Sequence, residues 1–264
     1  MSGAKVSALS NKNVLMVEDN IVNQKVTAAM LRHFGIIADV AENGQIAMAM
    51  LQEKKYDIIL MDCQMPVLNG FDATRAIRKL ENAGTNKDVP VLAMTANASP
   101  DAMSMCFDSG MNDIIAKPVE LDVLSEKLHK WLCVENDHTV TLTAVPPGSI
   151  NMDSLKQILD PAAIDELHEI MEEGLFDVLQ AFNASMQEHI PALQDAVENG
   201  DEEAVARITH TMKGSSANIG ALSLSETCRV LMENARNNDL TGADELTETI
   251  AREFSNIHAV LTSL

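Results

Sequence analysis

The feature that most constrains this chain is an apolar run, Ile58 to Met61, which ends in the carboxylate of Asp62. A proline and an Asn-Gly turn close the segment, so its length suits a strand buried on both faces. Strands of that kind belong to parallel sheets, and open parallel sheets bind ligands beyond the carboxyl ends of their strands. We therefore expect Asp62 to lie at a functional edge of a sheet.

Further apolar runs alternate with helical patterns through the first half of the chain. Four more strands are predicted, at Val14–Val17, Ile36–Val40, Pro90–Thr95 and Asp113–Pro118. The helical patterns between and after them lie at 20–35, with Asn20 as N-cap, at 45–52, at 71–80, from Pro100, and at 121–132. This alternation predicts a doubly wound, five-stranded parallel sheet of the flavodoxin-like kind, an α/β fold.

The second half of the chain has a different pattern of apolar and polar residues. From Asp153 onward there is no strand pattern, and helical patterns lie at 161–172, 175–198, 202–218, 222–237 and 243–262. Glycines separate these patterns, so we expect an all-α antiparallel four-helix bundle. A Pro-Pro-Gly-Ser segment marks a linker before it. The predicted organisation is a first domain at 12–133, a linker at 134–152 and a helical domain at 153–264.

Charge and composition exclude several classes of function. The formal net charge of −20 argues against a nucleic-acid partner, which would need clustered lysine and arginine. No apolar run is long enough to span a bilayer and no signal-peptide pattern is present, so we expect no membrane contact by this chain itself. Its four cysteines are scattered without a Cys-x-x-Cys pair. That pattern fits reduced thiols and a cytoplasmic protein.

Polar residues follow several of the predicted strands and should meet at one edge of the sheet. They are Glu18 and Asp19, then Asp62, Thr95 and Lys117. Gathered carboxylates repel one another unless a cation neutralises them, and oxygen ligands suit Mg²⁺. Asp62 is then the expected nucleophile toward phosphorus, with Thr95 and Lys117 placed to bind the transferred phosphoryl oxygens.

This set of residues is also compatible with two other interpretations. Each residue alone could be an ordinary solvated residue at a strand end. Five such residues after four strands favour a shared site over that interpretation. A dehalogenase-like phosphatase also uses an Asp nucleophile with Mg²⁺. That family needs a second carboxylate two residues after the nucleophile, and position 64 is Gln. The phosphatase alternative is therefore weak.

A histidine in the helical half forms a second candidate site. His210 lies two residues from both Ile208 and Met212, which is about 200° around a helix, so it is expected to face away from the core. Lys213 and Gly214 share its face at i+3 and i+4. The glycine gives a partner room to approach, the lysine offsets phosphoryl charge, and imidazole is a competent nucleophile toward phosphorus. The other histidines lack such a context.

The first-half motifs V-L-M-V-E-D-N, M-D-C-Q-M-P-V-L-N-G, A-M-T-A and A-K-P resemble the response-regulator receiver domain, particularly the receivers of hybrid histidine kinases. The resemblance implies phosphorylation of Asp62 and a cis bond between Lys117 and Pro118. It also implies that Mg²⁺ is held by Glu18, Asp19, the Asp62 carboxylate and the Gln64 carbonyl. Receivers usually carry an aromatic switch residue where this chain has Ile114, so we expect a receiver used for relay rather than for output.

The segment H-T-M-K-G-S-S-A-N-I-G is similar to the histidine phosphotransfer (HPt) family pattern. This resemblance implies that His210 is the phosphorylated residue and that Lys213 and Gly214 are its neighbours. On the following helix we expect a polar partner, but Met232 occupies that position.

The two resemblances together predict a phosphorelay protein like the C-terminal portion of a hybrid sensor histidine kinase. A sensor histidine kinase would load Asp62, and His210 would exchange phosphate with a receiver aspartate, directly or through another molecule. No nucleotide-binding motif G-x-x-x-x-G-K-[ST] is present, so we expect a carrier rather than a kinase. The alternative from another class is an interaction module, in which phosphorylation of the receiver docks or releases the bundle without relay.

Overall fold

The structure of the protein is a computed structural model that describes residues 9–80, 86–96, 99–132, 152–171 and 174–262. The chain divides into two units, Met1–Thr143 and Ala144–Leu264. The predicted linker at 134–152 lies outside the described residues except for its last position. The predicted domain boundaries on either side of it therefore stay predictions.

The first unit is built on one parallel sheet. Its strands, β1 to β5, are Val14–Val17, Asp39–Ala41, Ile58–Asp62, Val91–Thr95 and Asp113–Ala116. Their spatial order is β2-β1-β3-β4-β5, and every neighbouring pair is parallel. Every residue of β1, β3 and β4 is buried, as expected for strands covered on both faces. The predicted α/β fold is confirmed.

Helices cover the sheet between the strands. They are α1 to α5, at Ile21–His33, Gly44–Glu53, Gly70–Arg78, Pro100–Asp108 and Leu121–Leu132. The first four each begin after a side-chain cap that accepts a hydrogen bond from a backbone N–H of the first turn; the caps are Asn20, Asn43, Asn69 and Ser99. A cap of this kind satisfies an amide that the helix itself leaves without a partner. Asn20 and Pro100 lie where the sequence predicted them.

The second strand differs from the prediction. The apolar segment Ile36–Val40 was expected to form it, but β2 is only Asp39–Ala41. Ile36 is fully buried whereas Ile37 is 86% exposed. The segment before the strand is therefore not buried on both faces. Pairing with β1 fixes the strand, because Leu15 lies opposite Asp39. The edge strand therefore begins where its neighbour offers hydrogen bonds.

A buried carboxylate ties α5 to the sheet at the start of β5. Asp113 accepts hydrogen bonds from Lys127 at 2.7 Å, from Lys130 at 2.6 Å and from the indole N–H of Trp131 at 2.9 Å. The backbone N–H of Ile114 donates to it as well. Burial acts to raise the pKa of Asp113, but these donors outweigh burial and hold the pKa below its usual value.

The second unit is entirely helical within its described residues. Its helices, α6 to α11, are Met152–Leu155, Pro161–Met171, Leu175–Glu198, Glu202–Asn218, Leu222–Arg236 and Ala243–Leu261. The four longest are α8 to α11; α9 packs against α8 and α10, and α11 packs against α8 and α10. Phe182 of α8 meets Phe254 of α11 edge to face, with ring centroids 6.1 Å apart. The predicted four-helix bundle is confirmed.

Two further points concern the helices. Pro191 lies inside α8, which continues through it to Glu198. Among the described residues, no helix combines the length and apolar character that a membrane span requires.

Candidate functional site

The ends of strands β1, β3 and β5 bring three charged residues together. Glu18 directly follows β1, Asp62 is the last residue of β3, and Lys117 directly follows β5. The Lys117 ammonium lies 2.5 Å from Glu18 Oε2 and 2.7 Å from Asp62 Oδ2. All three side chains are largely buried, with 1%, 4% and 10% of the Glu18, Asp62 and Lys117 side chains exposed. One ammonium group therefore bridges two buried carboxylates.

Asp19 completes a set of carboxylates that could hold a metal ion. Glu18, Asp19 and Asp62 each offer an oxygen, and these oxygens lie within 4.8 Å of one another. An all-oxygen donor set fits Mg²⁺. The backbone N–H of Gln64 donates to Asp62 Oδ1 at 3.0 Å, which fixes the second oxygen of that carboxylate. The residues present fit the predicted ion, while the part assigned to the Gln64 carbonyl stays a prediction.

The electrostatics of the site show an excess of negative charge. Burial raises the pKa of Glu18 to about 8, and the neighbouring Asp62 carboxylate adds to that effect, although Lys117 and Asn23 act against it. Burial alone would lower the pKa of Lys117, but Asp62 and Glu18 hold it above its usual value. Lys117 therefore stays charged, and it supplies a single positive charge beside three carboxyl groups, one of which, Glu18, holds its proton more tightly than usual. That imbalance favours binding of a divalent cation.

Two amide side chains at the start of α1 also bind Glu18, and the sequence analysis did not identify them. Asn23 Nδ2 donates to Glu18 Oε1 at 2.8 Å, and Gln24 Nε2 donates to the Glu18 backbone carbonyl at 2.7 Å. The signal that could have revealed them is their place in the first turn of a helix whose N-cap, Asn20, directly follows two acidic residues. In that turn, amides point back toward the strand end.

The other two residues predicted for this edge lie on β4 and β5. Thr95 is the last residue of β4 and is 7% exposed, and its carbonyl accepts a hydrogen bond from the Lys117 N–H at 2.8 Å. Ile114, in the position of the usual aromatic residue, is partly buried and packs against the core of the sheet. The Lys117–Pro118 peptide bond is cis. The roles of Thr95 and Lys117 toward a phosphoryl group stay predictions.

A glycine packs against the backbone of the candidate nucleophile. Gly70 begins α3, its N–H donates to the Cys63 carbonyl at 3.2 Å, and a Cβ added there would overlap the Asp62 carbonyl oxygen. Any larger residue would have to displace the backbone that carries Asp62. The predicted Asn69-Gly70 turn is thus a close contact that only glycine permits.

Two buried thiols lie close to Asp62, one of them on the next residue of the chain. Cys63 Sγ is 3.8 Å from Cys106 Sγ of α4, and the two residues are 2% and 0% exposed. Burial is the main cause that raises the pKa of the Cys63 thiol, and the nearby Cys106 and Asp62 raise it further. Both cysteines are free thiols.

In the second unit, His210 lies in the middle of α9 with its ring partly buried. The predicted core residues Ile208 and Met212 are 5% and 1% exposed, whereas His210 is intermediate. The expectation that His210 faces away from the core is thus met only in part, because its Nδ1 atom is buried. The buried face of α9 also includes Thr209, whose hydroxyl donates to the Val205 carbonyl at 2.6 Å.

The neighbours of His210 lie on α9 and α10. Lys213 and Gly214 follow within the same helix and are both partly buried. The Lys213 carbonyl accepts a hydrogen bond from Ser225 Oγ at 3.0 Å, which joins α9 to α10 next to the histidine. Met232 on α10 is 3% exposed and belongs to the apolar core. Packing thus accounts for an apolar residue at that position.

Two family comparisons divide the chain in the same way as the structure. A sequence model of the response regulator receiver domain matches residues 14–129, and a model of the Hpt domain matches residues 177–260. The first match contains Asp62 and the other strand-end residues, and the second contains His210.

Individual relatives match one or both regions. The sensor histidine kinase AruS of Pseudomonas aeruginosa is 29% identical over 223 residues, which is 84% of this chain and 20% of AruS. The crystallised receiver domain of the sensor histidine kinase PA1611 from the same species, described with a magnesium ion coordinated in its active-site cleft, is 43% identical. The match covers 46% of this chain and 98% of that one, with a TM-score of 0.43.

The second unit has its own solved relative. The histidine-containing phosphotransfer protein B of Pseudomonas aeruginosa is 32% identical, with 40% of this chain and 91% of that one covered and a TM-score of 0.39. The chain spans between 5% and 20% of the length of the curated relatives that it matches.

Proposed function

Because this chain belongs to the two-component phosphorelay proteins, with a receiver domain followed by an Hpt domain, we propose that Asp62 and His210 are its two phosphoryl carriers. Asp62 accepts a phosphoryl group from a phosphohistidine donor, and His210 carries one to or from a receiver aspartate. The observation that carries the proposal is the position of Lys117, whose ammonium lies 2.7 Å from Asp62 Oδ2. It supplies the positive charge that a transferring phosphoryl group requires.

Phosphorylation of Asp62 exchanges one bond for another. A carboxylate oxygen of Asp62 attacks the phosphorus, the P–N bond of the donor breaks, and its electron pair returns to the donor imidazole, which takes up a proton. The product is an aspartyl phosphate. Lys117 and the Gln64 N–H hold the carboxylate in place. When bound by Glu18, Asp19, Asp62 and the Gln64 carbonyl, Mg²⁺ offsets the charge of the phosphoryl oxygens.

Transfer at His210 follows the same chemistry in reverse. An imidazole nitrogen attacks the phosphorus of an aspartyl phosphate, the ring gives up a proton to solvent, the P–O bond breaks, and the aspartate leaves as a carboxylate. Because Nδ1 of His210 is buried, Nε2 is the nitrogen that a partner can reach. Lys213, at i+3, offsets the charge of the phosphoryl group, and Gly214 leaves space for the partner.

This chemistry defines the partners. A sensor histidine kinase, or the kinase domains of a longer protein, loads Asp62, and a receiver domain exchanges phosphate with His210. Mg²⁺ is the cofactor of the receiver, as the relative with magnesium in its cleft supports at 43% identity. We propose that the chain works in the cytoplasm, acts as a carrier rather than a kinase, and has no nucleic-acid partner.

The test is phosphoryl labelling of the protein and of two variants from a phosphohistidine donor. We expect base-labile label at Asp62 and acid-labile label at His210 in the unchanged chain. Asp62→Asn loses the first and His210→Gln the second. If His210 never carries label and its loss leaves downstream transfer intact, the relay is wrong and the interaction-module alternative is favoured. Normal loading of His210 in Asp62→Asn would overturn the order of transfer from Asp62 to His210.

A further inference from the structure

The Glu18 carboxylate is held by a donor at each of its two oxygens. Lys117 Nζ lies 2.5 Å from Oε2, and Asn23 Nδ2 lies 2.8 Å from Oε1. Glu18 is 1% exposed and Asn23 is 5% exposed, so bulk water does not compete for either contact. Because both oxygens are bound, the carboxylate has a single orientation relative to Asp62.

The local sequence places Asn23 for this contact. Asn20 caps α1 by accepting hydrogen bonds from the backbone N–H groups of Val22 at 2.9 Å and Asn23 at 3.3 Å. The cap fixes the first turn of α1 directly after Glu18 and Asp19. The Asn23 amide consequently points back at the end of β1, into the carboxylate cluster.

A neutral donor suits this position better than a charged one. Glu18, Asp19 and Asp62 contribute three carboxylates, and Lys117 contributes one positive charge. A second lysine at position 23 would orient Glu18 but would also repel a divalent cation. An amide donates a hydrogen bond to the carboxylate without changing the net charge of the site.

We propose that Asn23 is a positioning residue, which fixes the Glu18 carboxylate so that the cluster binds a divalent cation. The inference rests on the proposed function, since the cation matters for phosphoryl acceptance at Asp62. This role requires no contact between Asn23 and the reacting atoms. It acts through Glu18, as residues outside the direct ligand set commonly do at metal sites.

A double-mutant cycle tests this role with Mg²⁺ as the probe and isothermal titration calorimetry as the measurement. Asn23→Leu keeps the approximate size and removes the donor, so we expect the Mg²⁺ dissociation constant to rise about tenfold. In a Glu18→Gln background the same change should alter it by about twofold or less, because the residue through which Asn23 acts is no longer a carboxylate.

A matched control separates this role from general support of α1. Thr27 lies one turn further along the same helix and is 3% exposed. Thr27→Val should leave the Mg²⁺ dissociation constant within about twofold of the original. If Asn23→Leu does not fold, the shorter Asn23→Ser carries the same cycle. An equal effect of the Asn23 change in both backgrounds, or no effect in either, would overturn the proposal.

The titrations use unphosphorylated protein, so their outcome is independent of the labelling experiment. Absence of label at Asp62 contradicts the proposed function whatever the cation affinity is. An additive cycle in a chain that is labelled normally at Asp62 contradicts only the role of Asn23.

Discussion

Two buried carboxylate clusters in the receiver unit contain the same kinds of groups in opposite proportions. Asp113 alone faces two lysines and an indole N–H, and its pKa is lowered. At the other end of the sheet, Glu18 shares one lysine with Asp62, and its pKa is raised to about 8. The first cluster is neutralised within the protein and serves stability. The second keeps a deficit of positive charge that a cation can fill.

The Asp113 cluster leads to a prediction about stability at the residue scale. Asp113→Asn should lower the free energy of unfolding by about 2 kcal/mol at neutral pH, because hydrogen bonds to a charged acceptor become neutral ones. Urea unfolding measures this value. As a control, Arg75→Gln removes the exposed Arg75–Asp72 ion pair, with both side chains about half exposed, and should cost less than about 1 kcal/mol.

The same cluster predicts a pH dependence whose sign follows from the lowered pKa. The carboxyl of an unfolded Asp titrates at about pH 4, and the folded Asp113 carboxyl titrates at a lower pH. Its contribution to stability is therefore complete above the unfolded pKa and is lost as the pH falls through the folded pKa. The difference in unfolding free energy between the original chain and Asp113→Asn should shrink below about pH 4. A constant difference down to that range and below would show that the charge of Asp113 is not the cause.

At the scale of single elements, the segment between β3 and α3 shows how close packing positions Asp62, the proposed nucleophile. The strand ends at Asp62, the chain turns, and Gly70 at the start of α3 returns to the Asp62 carbonyl. Thr74 Oγ1 donates to the Gly70 carbonyl at 2.7 Å and fixes the first turn of the helix. The position of Asp62 thus depends on a contact with the helix that follows it.

We expect Gly70→Ala to be destabilising by about 1–3 kcal/mol, because a methyl group there would push against the Asp62 backbone. Phosphoryl labelling of Asp62 should fall as well, since the carboxylate shifts with its backbone. Gly174→Ala is the comparison variant. Its φ is −77° and a Cβ there would meet nothing closer than 3.7 Å. Unfolding measurements should find it neutral or stabilised by up to about 1 kcal/mol.

The elements differ in how well the sequence predicts them. Helix α5 is predicted with its observed bounds, Leu121–Leu132, since its apolar residues keep a helical period. Strand β2 is misplaced, because an apolar run indicates burial while pairing at a sheet edge depends on the neighbouring strand. Asn23 is missed for a similar reason. Its contact with Glu18 depends on how closely the turn before α1 folds back, and its place in the first turn after two acidic residues is a weaker signal than an apolar pattern.

At the scale of the whole chain, each unit contains its own core. The first is built around the buried strands of the sheet, and the second around the inner faces of α8 to α11. The carboxylate cluster belongs to the first unit and His210 to the second. Ligands of the first site are therefore expected to stabilise one unit selectively.

Calorimetric unfolding with and without Mg²⁺ tests this expectation. We expect two transitions, and Mg²⁺ at 100 times its dissociation constant should stabilise that of the receiver unit by about 2.7 kcal/mol. The transition of the helical unit should not move. Asp19→Asn removes one oxygen of the cluster and should reduce the shift. Equal movement of both transitions would show that the ion acts elsewhere or that the units unfold together.

The thiol next to Asp62 has a consequence for chemical selectivity. A thiolate at Cys63 would be a strong nucleophile one residue from the proposed acceptor, and it could compete for phosphorus. Burial raises the pKa of that thiol, and Cys106 and Asp62 raise it further, so at neutral pH it remains protonated and unreactive. The Asp62 carboxylate therefore has no competing nucleophile at the next position. The same fold that brings this carboxylate to the edge of the sheet buries the neighbouring thiol and keeps it unreactive.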